Sequence, residues 1–365
     1  MVTIEREGYT REQIIAALQS PARQLRFRYK LLDKQENLKD YLLNVESCNV
    51  TYKSLASIKS KIDIRLRHDP QIDYITDRIQ PIIELWMGDK YIEFPQGIYL
   101  LNSPSRSDEN KVIYRTITGY DKLQILEDDK VDRHFIAAGT KYIDAVKALI
   151  SSTGETKIDI QVSLNTTATD KEYLNMSKLE IINELLKELN YNSLRVDERG
   201  YYTSTYYVLP QDKPTEFEYL TDANSVIYNG MTEELDLWDV ANVVICTVSN
   251  PEQTVMSATA ENHNSFSPTS IENLGRRKVR LESVDSIASQ EALQDYTNRL
   301  LANESQVYGK IEFKTSIMPI HSYLDTLKIK YDNLNVNDKF QETSWTLDMS
   351  IGGEMVHECR KVVNV

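Results

Sequence analysis

The stretch from Ile311 to Arg360 constrains the fold most. Ile311, Phe313, Thr315 and Ile317 recur at every second position, as do Leu327, Ile329 and Tyr331, and then Trp345, Leu347, Met349 and Ile351. Polar residues such as Lys328 and Lys330 fill the positions between. Side chains alternate across a strand, so a period of two sets one face in a core and the other in water. Gly352-Gly353 then turns the chain into a further strand, Glu354–Arg360. A chain that ends this way is built on an antiparallel sheet.

The same character marks Arg78–Leu123. Ile82–Met87 is a short apolar run, and Gly88-Asp89 is a turn that joins antiparallel strands. Tyr91–Phe94 and Gly97–Leu101 continue the sheet, with Pro95 at an edge or bulge. Ser103–Asn110 reads as a polar loop, and Lys111–Thr118 as the returning strand. Upstream, Thr10-Arg11-Glu12-Gln13 has the pattern of a capping box opening a short helix. Leu25–Leu32, Cys48–Tyr52 and Ile62–Leu66 are strands; Ile62, Ile64 and Leu66 alternate with Asp63 and Arg65.

The middle of the chain changes to helical spacing. Lys141–Ser151 carries Ile143, Val146, Leu149 and Ile150 on one face, with Thr140 as the N-cap. Ser177-Lys178-Leu179-Glu180 is a second capping box, followed by Ile182, Leu185, Leu186 and Leu189. Tyr191–Val196 and Tyr201–Val208 form a hairpin around Asp197–Gly200. These segments predict an α+β protein, mostly β. Residues 1–128 with about 210–235 make a first β domain, 129–209 an inserted α+β domain, and 236–365 a second β domain. Within the last, Val240–Val248 is strongly apolar, Ser249–Asn273 is a long polar loop without periodicity, and Ile287–Leu301 is helical. Long loops in compact domains carry function, so Asn250, Glu252, Asn262, His263 and Phe266 are the candidate interface residues.

Chemistry is sparse. The five histidines show no metal-ligand spacing; His357 and Cys359 share a strand face, and two ligands do not make a zinc site. No GxSxG, HExxH, P-loop or GxGxxG motif occurs. Tyr201-Tyr202 and Tyr206-Tyr207 have few basic neighbours and suit sheet packing better than base or sugar stacking. Cys48, Cys246 and Cys359 fit free thiols in a reducing compartment. The net charge of −13 opposes binding to phosphates of duplex DNA and to anionic membranes. The opening MVTIEREGYTREQ lacks the apolar core of a signal peptide, and no run approaches the roughly 20 residues of a membrane span, so synthesis and folding in a cytoplasm are expected. No enzyme, cofactor or metal is expected.

In the succession Arg78-Ile79-Gln80-Pro81, Met87-Gly88-Asp89-Lys90, Ile92–Leu101 and Thr118-Gly119-Tyr120-Asp121, the sequence resembles the phage tail hub family. That family comprises the baseplate hub of contractile tails and tail-like bacteriocins and the N-terminal hub of tail-associated lysins. Arg28–Asp33 and the C-terminal helix followed by strands are similar in layout. The resemblance implies two tail-tube-like β-barrel domains per subunit and a homotrimer. It implies a ring that adapts a six-fold tail tube to a three-fold spike or tail lysin, at a virion tail tip assembled in the bacterial host. Implied partners are the tail tube or distal tail protein, the central spike or tail lysin, and the tape-measure protein. DNA would pass through the lumen without specific binding. The competing readings are a cell-wall hydrolase, which the missing motifs disfavour, and a carbohydrate-binding tail-tip adhesin, which would need exposed aromatic platforms.

Overall fold

The structure, a computed structural model, describes residues 4–236, 238, 240–248, 255–306 and 308–365. Helix α1 (Arg11–Gln19) opens on the expected capping box: the Gln13 amide donates to the Thr10 side chain and the Thr10 amide to the Gln13 side chain. Strands β1 (Leu25–Leu32), β2 (Leu38–Tyr41), β3 (Val45–Lys53), β4 (Ser60–Arg67), β5 (Arg78–Trp86), β6 (Tyr91–Pro95), β7 (Tyr99–Glu109) and β8 (Val112–Asp121) follow. β4 buries Ile62, Ile64 and Leu66 and leaves Asp63 and Arg65 partly wet, as the alternation predicts. Gly88, at φ 101°, makes the turn between β5 and β6, closed by the Met87 amide donating to the Lys90 carbonyl.

One segment differs from expectation here. Ser103–Asn110 was to be a loop, but β7 runs through it to Glu109, which pairs with Val112 of β8. Asn110 and Lys111 both take positive φ and form the two-residue turn. The outer half of β7 is exposed on both faces, so no hydrophobic period announces it. Pro104 falls where the register shifts between Asn102 and Ser105, the place a proline is tolerated in a ladder.

The next elements are α2 (Leu123–Asp128), β9 (Lys130–Ile136), α3 (Tyr142–Ser151), β10 (Ile158–Ile160), β11 (Lys171–Ser177), α4 (Lys178–Glu188), β12 (Arg195–Val196) and β13 (Tyr202–Ser204). They enclose a core of their own, built on Val146, Leu149, Ile150, Leu179, Ile182, Leu185 and Leu186. Ser177 and Glu180 form the expected capping box on α4. The N-cap of α3 is Lys141, one residue past Thr140, and no side chain caps it. β12 and β13 make the expected hairpin, and β10 lies parallel to β13.

The remaining elements are β14 (Phe217–Leu220), β15 (Thr232–Leu235), β16 (Val243–Val248), β17 (Ser257–Glu261), α5 (Ile271–Leu274), β18 (Val279–Val284), α6 (Gln290–Gln306), β19 (Gly309–Ser316), β20 (Thr326–Tyr331), β21 (Val336–Asp348) and β22 (Glu354–Lys361). Strands β1–β8, β14, β15 and β19–β22 form one fourteen-stranded sheet. Its order is β15-β19-β22-β21-β3-β4-β8-β7-β5-β1-β2, with β20 on β21, β14 on β20 and β6 on β5. The joint is the antiparallel pair β3/β21, where Trp345 lies opposite Tyr52 and their rings stack 5.4 Å apart at 9°. A single core runs beneath it, from Ile62, Leu85 and Phe94 to Phe313, Leu327 and Leu347. Pairing β3 with β21 leaves neither as an open edge. Within the sheet β14 runs parallel to β20 and β15 antiparallel to β19, so the strands of 210–235 pair with strands from the C-terminal part of the chain.

Strands β17, β16 and β18 form a separate layer in that order, with β18 parallel to β16. Val244, Cys246, Val248, Ala258 and Ala260 pack on Leu293, Tyr296, Leu300 and Leu301 of α6. The stretch expected to be one loop, Ser249–Asn273, therefore contains β17 and most of α5. The buried residues of β17 are Ala258 and Ala260, too small to register as a hydrophobic period.

Candidate functional site

His321 in the β19–β20 connection, Glu342 in β21 and His357 in β22 meet inside the C-terminal sheet. Glu342 and His357 are 1% and 0% exposed. His357 Nδ1 hydrogen-bonds Glu342 Oε1 at 2.6 Å. His321 Nδ1 lies 2.7 Å from Glu342 Oε2, an ion-pair contact off the hydrogen-bonding direction. The outer nitrogens meet hydroxyls: His321 Nε2 and Tyr219 Oη at 2.6 Å, His357 Nε2 and Thr315 Oγ1 at 2.8 Å. Burial opposes the charge on Glu342, but attraction to His321 and the hydrogen bond from His357 outweigh it and hold the carboxyl at about 2. Burial likewise opposes the charge on His321, and Glu342 overcomes it, raising that imidazole. For His357 burial wins and lowers it. The cluster thus favours an ion pair between Glu342 and His321 beside a His357 held toward its neutral form.

The three ligand atoms lie within 4.8 Å of one another, the set among the described residues that could hold a metal ion. Sequence reasoning paired His357 with Cys359 instead. Cys359 is buried on the same strand face and stands opposite Glu342, but its thiol is not in the set. All four imidazole nitrogens already have polar neighbours, so the cluster is complete as an ion-paired network stitching β14, β19, β21 and β22 together.

The sequence-predicted interface residues fall in three different settings. Asn250 and Glu252 lie outside the described residues. Asn262 is fully buried and organises the turn after β17: its amide nitrogen donates to Ser267 Oγ and Thr269 Oγ1, and its oxygen accepts from the Asn264 amide. His263 is exposed and bridges Glu272 and Glu261, 2.8 and 2.9 Å away, which raises its pKa through both hydrogen bonds. Phe266 stands 93% exposed, its amide held by Asn264 Oδ1. Asn273 ties the turn from below, donating to the Ser265 and Ser267 carbonyls. The chain thus spends a dense hydrogen-bond network on presenting one phenylalanine to solvent.

A second apolar feature escaped sequence reasoning. Ile351 was expected on the buried face with Trp345, Leu347 and Met349, but it sits in the β21–β22 turn and is 99% exposed. Leu43, beyond edge strand β2, is 87% exposed. Both line one cleft of about 680 Å³ together with Tyr29, Tyr41 and Met349. Large aliphatic residues in turns are the signal that could have found it. β2 and β15 end the large sheet, and their side chains are largely exposed. By contrast, the outer edge of β17 is closed: Gln290 and Gln294 of α6 donate to the Ser257 and Thr259 carbonyls.

No protein-family model matches the chain, and no curated protein does. Solved structures do. A tail protein from Neisseria meningitidis MC58 is similar over 92% of this chain and 96% of its own, at TM-score 0.65 and 10% identity. The 43 kDa tail protein of prophage MuSo2 from Shewanella oneidensis covers 91% and 98%, at 0.63 and 10%. Prophage tail protein gp18 from Listeria monocytogenes EGD-e covers 93% and 95%, at 0.60 and 11%. This chain has the fold of a phage tail protein. The tail-protein fold extends further, to an E. coli component of the type VI secretion system, at TM-score 0.52 over 94% of this chain and 77% of that one. The resemblance read from the sequence thus holds at the level of fold.

Proposed function

We propose that this chain is a structural, non-enzymatic hub at the distal end of a phage tail or tail-like particle. Three copies form a ring that adapts a six-fold tube to a three-fold spike or tail lysin. The observation that carries this reading is the end-to-end match with three tail proteins, covering more than nine-tenths of both chains. A type VI secretion component described as similar to the phage T4 tail proteins gp27 and gp5 has the same fold, which supports a place in a tail-like particle. In this reading the two tube-like units are residues 4–128 and a C-terminal unit of 210–235 with 308–361. The inserted unit and the α6 layer are its decorations. The net charge of −13 suits a lumen that passes DNA without holding it.

Subunit contacts fall to the Leu43–Ile351 cleft beside edge strand β2, where exposed aliphatic side chains would be covered by a second copy. The Phe266 turn, shaped by the buried Asn262 and flanked by His263, is the contact for the tube, the tape-measure protein or the spike; Asn250 and Glu252 stay candidates from the sequence alone. Negative-stain electron microscopy of the concentrated protein, with light scattering for mass, tests the ring. Three-fold rings with a central hole support it. Monomers, even beside a candidate spike, would return the adhesin reading.

A further inference from the structure

A cleft of about 260 Å³ opens where three parts of the chain meet. Lys59 reaches it from the β3–β4 connection, Arg299 and Gln306 from α6, Arg360 from β22, and Ser193 and Tyr207 from the inserted unit. No aspartate or glutamate lines it. That is unexpected in a chain with 55 acidic and 42 basic residues. None of the three cations forms an ion pair with a carboxylate among the described residues. Lys59, 4% exposed, gives a hydrogen bond to the Ala56 carbonyl. Arg299 gives one to the Tyr191 carbonyl at 2.8 Å and lies 4.2 Å over the Tyr207 ring. A guanidinium has five N–H donors, so most of those on Arg299 stay available. The Gln306 amide nitrogen, on a side chain 2% exposed, has no partner.

The buried Lys59 ammonium is set against the Arg299 charge, and a buried donor without an acceptor is costly. Burial lowers the Lys59 ammonium to about 8; Asp121 opposes this, while Arg195 and Arg299 add to it. Burial also lowers Arg360, with Glu304 opposing. One ligand class removes both costs. We propose that this cleft binds a polyvalent oxyanion of the phosphate class, gripped by Lys59, Arg299, Arg360 and the Gln306 amide. The volume exceeds that of several waters, at about 30 Å³ each in the liquid, and admits a free phosphate or a small phosphate ester. Because its walls come from three parts of the chain, the anion would lock them together.

The test is calorimetric titration of the full chain with inorganic phosphate and, separately, with glycerol phosphate, in buffers matched in ionic strength with sodium chloride. Saturable binding of either, with a rise in Tm of about 2–5 °C at saturation, is expected. Preference for phosphate assigns a free ion and preference for glycerol phosphate an ester; both support the site. Arg360→Gln should weaken binding at least about tenfold. Lys59→Met is the second variant, with the same expectation. Arg277→Gln, which breaks an exposed pair with Glu261, should leave binding unchanged. No saturable heat from either probe, or unaltered affinity in Arg360→Gln and Lys59→Met, overturns the proposal.

Discussion

Glu342 sits between two imidazoles in the interior, and its replacement tests the network around it. Glu342→Gln would leave the His321 cation without its counter-charge. Removing one partner of a buried pair costs about 3–5 kcal/mol, so the urea midpoint should drop accordingly. The histidines also set a pH dependence with a definite sign. His357 is lowered in the fold, so below its unfolded value, about 6.5, the unfolded chain binds the proton better and stability falls with pH. His321 is raised, so its contribution is complete below about 6.5 and is lost as pH climbs through its folded value. Denaturation between about pH 5 and 8 should show a maximum near the middle, and His357→Gln should flatten the acid limb. An unchanged acid limb would place the titrating group elsewhere. None of this was legible in the sequence. Glu342 and His357 are 15 residues apart and meet only through the β21/β22 register, and His321 comes from a loop without any period.

Among elements, the β4/β8/β7 ladder has little room to spare. A Cβ on Gly119 would lie 2.6 Å from the Leu100 carbonyl oxygen and 2.8 Å from Ile62 Cγ2. Gly119→Ala must push neighbouring strands apart, and a loss of about 1–3 kcal/mol is expected in a thermal melt. The Thr118-Gly119-Tyr120-Asp121 motif is thus a packing requirement. Exposed elements behave oppositely. Phe266→Asp and Ile351→Asp should each change stability by no more than about 0.5 kcal/mol. Rings counted by electron microscopy should be lost in Ile351→Asp, and particle assembly in Phe266→Asp. Intact rings from Ile351→Asp would move the subunit contact away from the β2 cleft. Elements with one dry face were readable beforehand, β4 and β21 by alternation and α4 by its capping box. β17 and the outer half of β7 were not, because alanines carry a faint signal and a strand wet on both faces carries none.

For the whole molecule, composition and pattern were enough to reach the mostly β class, but not the way its halves join. Two runs of alternating strands look alike whether they close separately or share a sheet, since alternation records a face and not a partner. The pair β3/β21 decides it, and it brings Thr51 beside Thr346. That joint has a consequence for biosynthesis. At about 5–20 residues per second, the ribosome needs roughly 15–60 s to travel from one to the other. Throughout that interval β3 can be satisfied only on the side facing β4, and its other ladder of amides and carbonyls is bare. A truncated or stalled product would keep it bare indefinitely. Nascent chains released before Asp348 should therefore aggregate or recruit a chaperone, whereas the finished chain hides the same surface in the middle of its sheet.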